Sequence, residues 1–419
     1  ISKYQYQNDA LGRRTQRIDT TASVTTNTFG YNSRSELTNA LMGTLTNSWI
    51  FDNIGNRETY TTNGTTFTYT ANNLNQYEQI TNGVTNSYQF DLDGNLTNDG
   101  ERVYFWNGEN QLAAVQPVTV SDGSVRVEYT RDYRGRRVKR VFSEWTNSAW
   151  KAVQTNLVVY DGWLAIEQKA IKSTGVTSNH WVRGLDLGGS IQGAGGIGGL
   201  LSWTRSSSSA TNTFLFNFDA NGNVTELTDA SNPTNIVAAY QYAAYGSLIS
   251  SSGTESANNL IRFSSKPFDE ETETYYSIFR SFEPGLLGRF NSSDPAGVLG
   301  GVNGYTYAQN RPLDVVDPWG DVPVHIFYFD GNDKMKFIKD DLSQAQAEAT
   351  AKTIPPTYES PGAGYEGKYF ISLYENDYIK LVRLMPTGAG SGGVTREKQL
   401  CDIYIRYGFR IDPQYKDDK

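Results

Sequence analysis

Few residues of this chain have both the type and the spacing that metal or thiol chemistry requires. The two histidines, His180 and His325, lie 145 positions apart, and Cys401 is the one cysteine. A multi-histidine metal site would need those two residues to meet across the fold. A disulfide framework and a multi-cysteine zinc or iron–sulfur site are excluded. We therefore expect no metal and no cofactor.

Two further patterns have part of a ligand loop but lack its defining residues. Asp91, Asp93 and Asn95 around Gly94 match the start of a calcium loop, but no glutamate stands at its twelfth position. The glycine-rich stretch 188–199 is not followed by Gly-Lys-Ser/Thr, so it is predicted to be a bend where backbones approach closely. Three tryptophans could bind sugars, although in a β-sheet such residues more often pack on the sheet. These are Trp145, Trp150 and Trp163.

The composition favours a folded, strand-rich chain. The 419 residues include 27 Tyr, 19 Phe and 8 Trp, which supply ample apolar area to bury. The net charge of -8 and the absence of a Lys/Arg-rich run argue against binding to a phosphate backbone. The longest weakly polar run, 188–203, is shorter than the ~20 residues that span a bilayer. We expect no nucleic acid partner for the bulk of the chain and no membrane span.

A repeat of about twenty residues organises the first two thirds of the sequence. Asp-x-x-Gly begins at Asp9, Asp52, Asp91 and Asp132, with spacings of 43, 39 and 41, and again at Asp219. Degenerate copies with Asn in place of Asp lie between them, at Asn32, Asn72 and Asn107. Asp can accept a hydrogen bond from the backbone two residues on, and Gly supplies the positive φ that closes the turn. Alternating aromatic residues before each turn predict a strand, so each repeat reads as strand, turn, strand.

These repeats resemble the YD repeats of bacterial Rhs proteins and of the C components of insecticidal toxin complexes. The segment from Phe263 to Gly320 resembles the Rhs repeat-associated core domain, with the motifs Tyr275-Tyr276, Gly288-Arg289-Phe290, Asp294-Pro295 and Asp317-Pro318-Trp319-Gly320 in the family's order. A generic β-solenoid or adhesin is the alternative reading of the repeats alone.

The resemblance implies a mainly β fold in which the repeats wind as a spiral sheet into a partial hollow shell. It divides the chain into a repeat shell (1–262), a core domain that plugs one end (263–320) and a variable C-terminal domain (321–419). The shell would enclose its own C-terminal domain as cargo, an effector that is often a toxin. Further partners would be an immunity protein or a secretion apparatus, and the protein would be secreted or lie at the cell surface.

The resemblance also implies self-cleavage just after Asp-Pro-x-Gly by an arginine and two aspartates, which are Arg280, Asp294 and Asp317 here. The cleavage residues are then Gly320, Asp321 and Val322. One close carboxyl would act as base and the other as acid, since both cannot easily carry charge. Arg280 could instead be an ordinary partner of Glu283 or Asp269. The sequence departs from the family where Asp321 replaces the usual apolar residue, which adds a carboxylate beside the two aspartates.

The last 99 residues differ in composition, because 28 of them are charged against 54 of the preceding 320. Alternation predicts strands near 322–329, 334–338, 369–374, 379–384 and 403–409, and a helix is predicted over 341–352, which together make a small α+β domain. The tail has no clear catalytic motif. The alternative function is a cell-surface adhesion or carbohydrate-binding protein whose tail has no toxic activity.

Overall fold

The computed structural model describes residues 2–21, 23–297 and 301–321 in full, together with the backbone of four strands further on. The chain divides into two compact units. One comprises Ile1–Leu187 and Gly195–Pro323, and the other comprises Gly188–Ala194 and Val324–Lys419.

Two large antiparallel sheets make up most of the first unit, and in each sheet every strand pairs with the next strand along the chain. The first sheet contains β1 (Lys3–Asn8), β2 (Arg14–Thr20), β3 (Val24–Tyr31), β4 (Leu37–Met42), β5 (Leu45–Phe51), β6 (Arg57–Thr62), β7 (Thr65–Ala71), β8 (Tyr77–Thr81) and β9 (Thr85–Ser87). The second sheet contains β10 (Gln89–Phe90), β11 (Leu96–Asn98), β12 (Arg102–Trp106), β13 (Leu112–Pro117), β14 (Val125–Arg131), β15 (Arg137–Thr146), β16 (Ala149–Asp161), β17 (Leu164–Lys172), β18 (Gly175–Arg183), β19 (Leu200–Ser206), β20 (Thr211–Phe218), β21 (Val224–Asp229), β22 (Asn232–Tyr242) and β23 (Leu248–Ser252). The mainly β prediction is confirmed, and the described residues contain no α-helix.

The repeat turns have the hydrogen bonds that their sequence predicts. Asp52 Oδ1 accepts the backbone N–H of Ile54 at 2.9 Å and that of Asn56 at 2.8 Å, and Gly55 has a φ of 88°. The same pair of bonds, to the second and fourth residues on, recurs at Asp9, Asn32, Asn72, Asp91, Asn107, Asp132 and Asp219. The segment around Asp91 is therefore a structural turn of this kind. The same local interaction, in which an Asp or Asn side-chain oxygen accepts two backbone N–H groups, therefore forms the repeat turns of both sheets.

Alternate strand residues supply the hydrophobic core of the first unit. On β4, for example, Ala40 and Met42 are buried while Leu41 between them is exposed. The buried residues form two clusters, one around Trp203 and Phe282 and another around Tyr77 and Leu96. A repeat of two short strands cannot bury such a face alone, so each repeat depends on its neighbours in the sheet.

Residues 263–320 form a small four-stranded sheet with long connecting turns. Its strands are β24 (Phe268–Asp269), β25 (Thr274–Tyr276), β26 (Ser281–Glu283) and β27 (Arg289–Phe290), and 3-10 turns lie at Phe263–Ser265 and Ala308–Asn310. Side chains of this segment bond to carbonyl oxygens in three repeat turns. Asn310 Nδ2 donates to Gly55, Tyr305 Oη to Gly94 and Ser265 Oγ to Gly222, at 2.9, 2.8 and 2.7 Å. The segment is thereby held against turns that are distant in the sequence.

The second unit is described through four strands. These are β28 (Phe327–Phe329), β29 (Met335–Phe337), β30 (Tyr369–Glu375) and β31 (Tyr378–Leu384), and they form the hairpins β28–β29 and β30–β31. Each lies within or overlaps a strand predicted from alternation. The predicted helix over 341–352 and the predicted strand over 403–409 lie outside the described residues, as do His325 and Cys401. The domain boundaries at 262 and 320 stay predictions.

Candidate active site

The three residues assigned to catalysis by resemblance lie together in the first unit. Arg280 immediately precedes β26, Asp294 follows β27, and Asp317 begins the Asp-Pro-Trp-Gly motif. Nη2 of the Arg280 guanidinium lies 2.7 Å from Asp294 Oδ2 and 3.4 Å from Asp317 Oδ2. The alternative partners of Arg280 are engaged elsewhere, because Asp269 pairs with Arg137 and Arg140.

Glu283, the other alternative partner, instead accepts backbone N–H groups. Its carboxylate oxygens receive those of Gly285 and Leu287, each at 2.7 Å. Arg280 is thus committed to the two aspartates rather than to Glu283 or Asp269.

Local hydrogen bonds fix the direction of both aspartates. Asp294 Oδ1 accepts the N–H of Ala296 at 2.8 Å, which closes an Asx turn around Pro295. Asp317 Oδ1 accepts the N–H of Gly320 at 2.8 Å and so folds the Asp-Pro-Trp-Gly motif back on itself. Each carboxylate keeps its other oxygen, Oδ2, for Arg280. Arg280 is itself stacked on Phe290, with the guanidinium carbon 3.7 Å from the ring centre.

Each of the three carbonyl oxygens before Asp321 has its own donor. The Pro318 carbonyl accepts from Lys266 Nζ, the Trp319 carbonyl accepts from the backbone N–H of Phe279 at 3.0 Å, and the Gly320 carbonyl accepts from Arg280 Nε. Arg280 therefore donates to the carbonyl of the Gly320–Asp321 peptide and also contacts the carboxyl groups of Asp294 and Asp317. Val322, the last of the predicted cleavage residues, lies outside the described residues.

Burial shifts the ionisation of the carboxyl groups at the site. Burial raises the pKa of Asp317 to about 6, and the Arg280 guanidinium opposes part of this rise. Burial also raises the pKa of Asp294, again against the effect of Arg280. Burial, helped by the neighbouring Asp317 and Asp294, raises the pKa of Asp321 to about 8. The neutral form of Asp321 therefore predominates at pH 7, and little negative charge is added beside the pair.

Sequence reasoning missed Lys266. It precedes Pro267 in Ser-Ser-Lys-Pro, with no local pattern that signals a contact 52 residues further along the chain. The glycine-rich stretch contributes to the same place, because a Cβ on Gly195 would lie 2.7 Å from the Pro318 oxygen. Close backbone approach, which was predicted for this stretch, is therefore confirmed at Gly195.

The remaining candidate residues form no second catalytic arrangement among the residues that the structure describes. His180 is a half-exposed residue on β18, with Nδ1 4.0 Å from Glu167. Trp145 and Trp150 pack edge to face across a hairpin, with ring centres 5.2 Å apart, and Trp163 packs against Trp319. Among the residues the structure describes, no group of three or more His, Cys, Asp and Glu could hold a metal ion, and no helix is long and apolar enough to cross a membrane.

Large antiparallel sheets of Asp-Gly repeats, held to a segment that ends in Asp-Pro-Trp-Gly, are the features that this chain shares with YD-repeat proteins of the Rhs type. The chain is homologous over most of its length to bacterial YD-repeat polymorphic toxins. It is 30% identical over 280 residues to the tRNA3(Ser)-specific nuclease WapA of Bacillus spizizenii, which covers 65% of this chain and 11% of that protein. It is 29% identical over 245 residues to the double-stranded DNA deaminase toxin A of Burkholderia cenocepacia, which covers 56% of this chain and 17% of the toxin.

The chain thus spans between about a tenth and a fifth of the length of these relatives. No protein-family model matches the sequence. Among solved structures, the crystal structure of TcdB2-TccC3-TEV superposes with a TM-score of 0.53 at 18% identity, over 76% of this chain and 18% of that one. That likeness concerns the fold alone.

Proposed function

We propose that residues 263–320 cut their own chain between Gly320 and Asp321. The observation that carries the proposal is the position of Arg280, whose guanidinium contacts Asp294, Asp317 and the Gly320 carbonyl at once. Peptide hydrolysis requires a base for water, an acid for the leaving nitrogen and a donor for the oxygen that becomes negative. Two carboxyl groups and Arg280 Nε supply these three roles around one peptide.

In this mechanism one proton is shared between the two aspartates before the reaction. Asp294, which lies closer to Arg280, is the ionised base and removes a proton from the attacking water. Asp317 is the neutral acid and gives its proton to the nitrogen of Asp321 as the bond to Gly320 breaks. The products are a Gly320 carboxyl group, which ionises by releasing its proton, and a free amino group on Asp321. The proton taken from water now lies on Asp294, so the pair still holds one proton, and its transfer to Asp317 restores the starting state.

Asp321 stands where the resemblance implies an apolar residue. It is compatible with this chemistry because the pKa of its carboxyl group is raised to about 8. A neutral carboxyl group at this position does not repel the ionised base. Asp321 can ionise at higher pH whereas an apolar residue cannot, so the cleavage rate of the two should differ above pH 8.

Intact-mass measurement of the freshly translated chain tests the proposal. Two fragments that join between residues 320 and 321 are expected, and a stable full-length species would contradict it. Asp294→Asn and Asp317→Asn should each abolish the cut, because each removes one member of the acid–base pair. Glu270→Gln, at a carboxylate that is exposed and paired with Arg262, should leave the cut unchanged.

We further propose that the sheets belong to a hollow shell that encloses residues 321–419 as an effector. The proposal is supported by the pairing of every strand with its chain neighbours within each of the two large sheets, by the fold likeness, and by the relatives, whose names describe a nuclease and a deaminase toxin. A secreted or cell-surface location, an immunity protein and a delivery apparatus would follow from such a role. Expression of residues 321–419 in bacteria should arrest growth. Normal growth with soluble product, together with binding of the whole chain to glycans, would instead favour the adhesion alternative.

A further inference from the structure

Lys266 is a buried lysine whose side chain reaches the segment before the proposed cut. The residue is 8% exposed and follows the 3-10 turn Phe263–Ser265, to which it is tied by its backbone N–H to the Phe263 carbonyl at 3.0 Å. Its Nζ donates to the Pro318 carbonyl and lies 5.7 Å from the centre of the Trp319 ring. An ammonium group is costly to bury, so a lysine in this place needs specific partners.

The charged groups that face Lys266 come from several parts of the first unit. Asp317, Asp186 and Asp321 favour its charged form, Arg183 opposes it, and burial lowers its pKa to about 8. Lys266 therefore retains its proton over most of the range below pH 8 and remains a charge-assisted donor to Pro318.

The Pro318 carbonyl is confined from a second side as well. Gly195 has a φ of 61°, and its missing side chain leaves the space into which the Pro318 oxygen projects. A larger residue there would push the Pro318 peptide away from Lys266. The Pro318 oxygen is thus held between a backbone without a side chain and a buried ammonium group.

We propose that Lys266 is a positioning residue for the self-cleavage, an inference that rests on the proposed function. By holding the Pro318 carbonyl, Lys266 fixes the Pro318–Trp319 peptide, one residue after Asp317. It thereby restrains the turn from which the Asp317 carboxyl projects toward Arg280 and the Gly320 peptide. Arg280 holds the other end of the same segment through the Gly320 carbonyl. Lys266 does not act on the broken bond itself, because the carbonyl it holds lies two residues before that bond.

The first arm of the test compares cleavage rates by intact mass after cell-free translation. Lys266→Met keeps an unbranched side chain that is one atom shorter and loses the ammonium group. We expect cleavage to slow by about ten- to a hundredfold, because small misplacements of reacting groups have effects of this size. Lys169→Met is the control, since Lys169 is half exposed on β17 and pairs with Glu167. An unchanged rate for Lys266→Met would overturn the inference.

The second arm does not depend on cleavage and uses the Asp294→Asn chain. Hydrogen–deuterium exchange of residues 319–321 should accelerate on Lys266→Met while β25 and β26 keep their protection. Equal loss of protection in those strands would mean that Lys266 only stabilises the fold, and an unchanged exchange would mean that it does not hold the segment. Either result would overturn the inference. A native chain that stays intact would instead reject the proposed cleavage, whereas this arm would still decide whether Lys266 holds the segment.

Discussion

The Asp269 carboxylate on β24 pairs with Arg137 and Arg140 of β15, although 132 residues separate Asp269 from Arg137. Arg137 Nη2 lies 3.1 Å from Asp269 Oδ1, and Arg140 Nη1 lies 3.0 Å from the same oxygen. All three side chains are almost fully buried. This charge cluster joins the 263–320 segment to β15, and the attraction of the two arginines holds the pKa of Asp269 below its usual value despite burial.

Removal of the Asp269 carboxylate should therefore destabilise the first unit strongly. Asp269→Asn leaves the buried Arg137 guanidinium without its counter-ion and leaves Arg140 paired only with Glu271. We expect a loss of about 3–5 kcal/mol in the free energy of unfolding. Urea denaturation followed by tryptophan fluorescence measures it. The adjacent Glu270→Gln is a matched control, because Glu270 is largely exposed and its pair with Arg262 should be worth below about 1 kcal/mol. Similar losses for both variants would contradict the assignment.

The repeat turn makes a second prediction about stability. Asp52→Ala removes the acceptor of two backbone N–H groups, those of Ile54 and Asn56, and should cost about 1–3 kcal/mol. Asp122→Ala, at an exposed loop position between β13 and β14, should cost much less. Denaturation midpoints of the two variants test this, and equal midpoints would mean that the turn aspartates do not stabilise the sheet.

The turns could be predicted from the sequence because their contacts are local. Asp52 bonds to residues only two and four positions on, so the spacing of Asp and Gly already contains the geometry. The meeting of Arg280, Asp294 and Asp317 was predicted in a different way, from the order of family motifs. Nothing in their spacing alone distinguishes them from turn residues, since Asp-Pro is a frequent turn dipeptide.

The contacts of Lys266 and Arg137 could not be predicted from the sequence. Lys266 bonds to a carbonyl 52 residues away, and Arg137 pairs with a carboxylate 132 residues away, so both depend on how the 263–320 segment lies against the sheet. A pattern of side-chain types does not encode that placement. The same limit applies to Asp321, whose raised pKa arises from its burial beside Asp317 and Asp294.

The proposed cleavage should depend on pH through Asp317. Its pKa is raised to about 6, so its neutral, proton-donating form prevails below pH 6 and decreases about tenfold for each pH unit above it. We expect cleavage to be about fiftyfold slower at pH 8 than at pH 6, as measured by timed intact mass, because about half of Asp317 is neutral at pH 6 and about one hundredth at pH 8. Above pH 8 the ionisation of Asp321 should slow it further. Asp321→Leu should remove only that last decrease, and a rate that rises from pH 6 to pH 8 would contradict the assignment of Asp317 as acid.

At Gly320, the addition of a single methyl group should slow cleavage while the protein still folds. Its φ is 78°, and a Cβ there would lie 2.8 Å from Ser277 Cβ and 3.1 Å from the backbone nitrogen of Arg280. Gly320→Ala should therefore displace the Gly320 carbonyl from Arg280 and slow cleavage by about a hundredfold. Gly123→Ala imposes a similar backbone cost, with a φ of 86°, but its Cβ would meet open space. If both variants cleave at the native rate, the bond between Arg280 and the Gly320 carbonyl makes no contribution to the reaction.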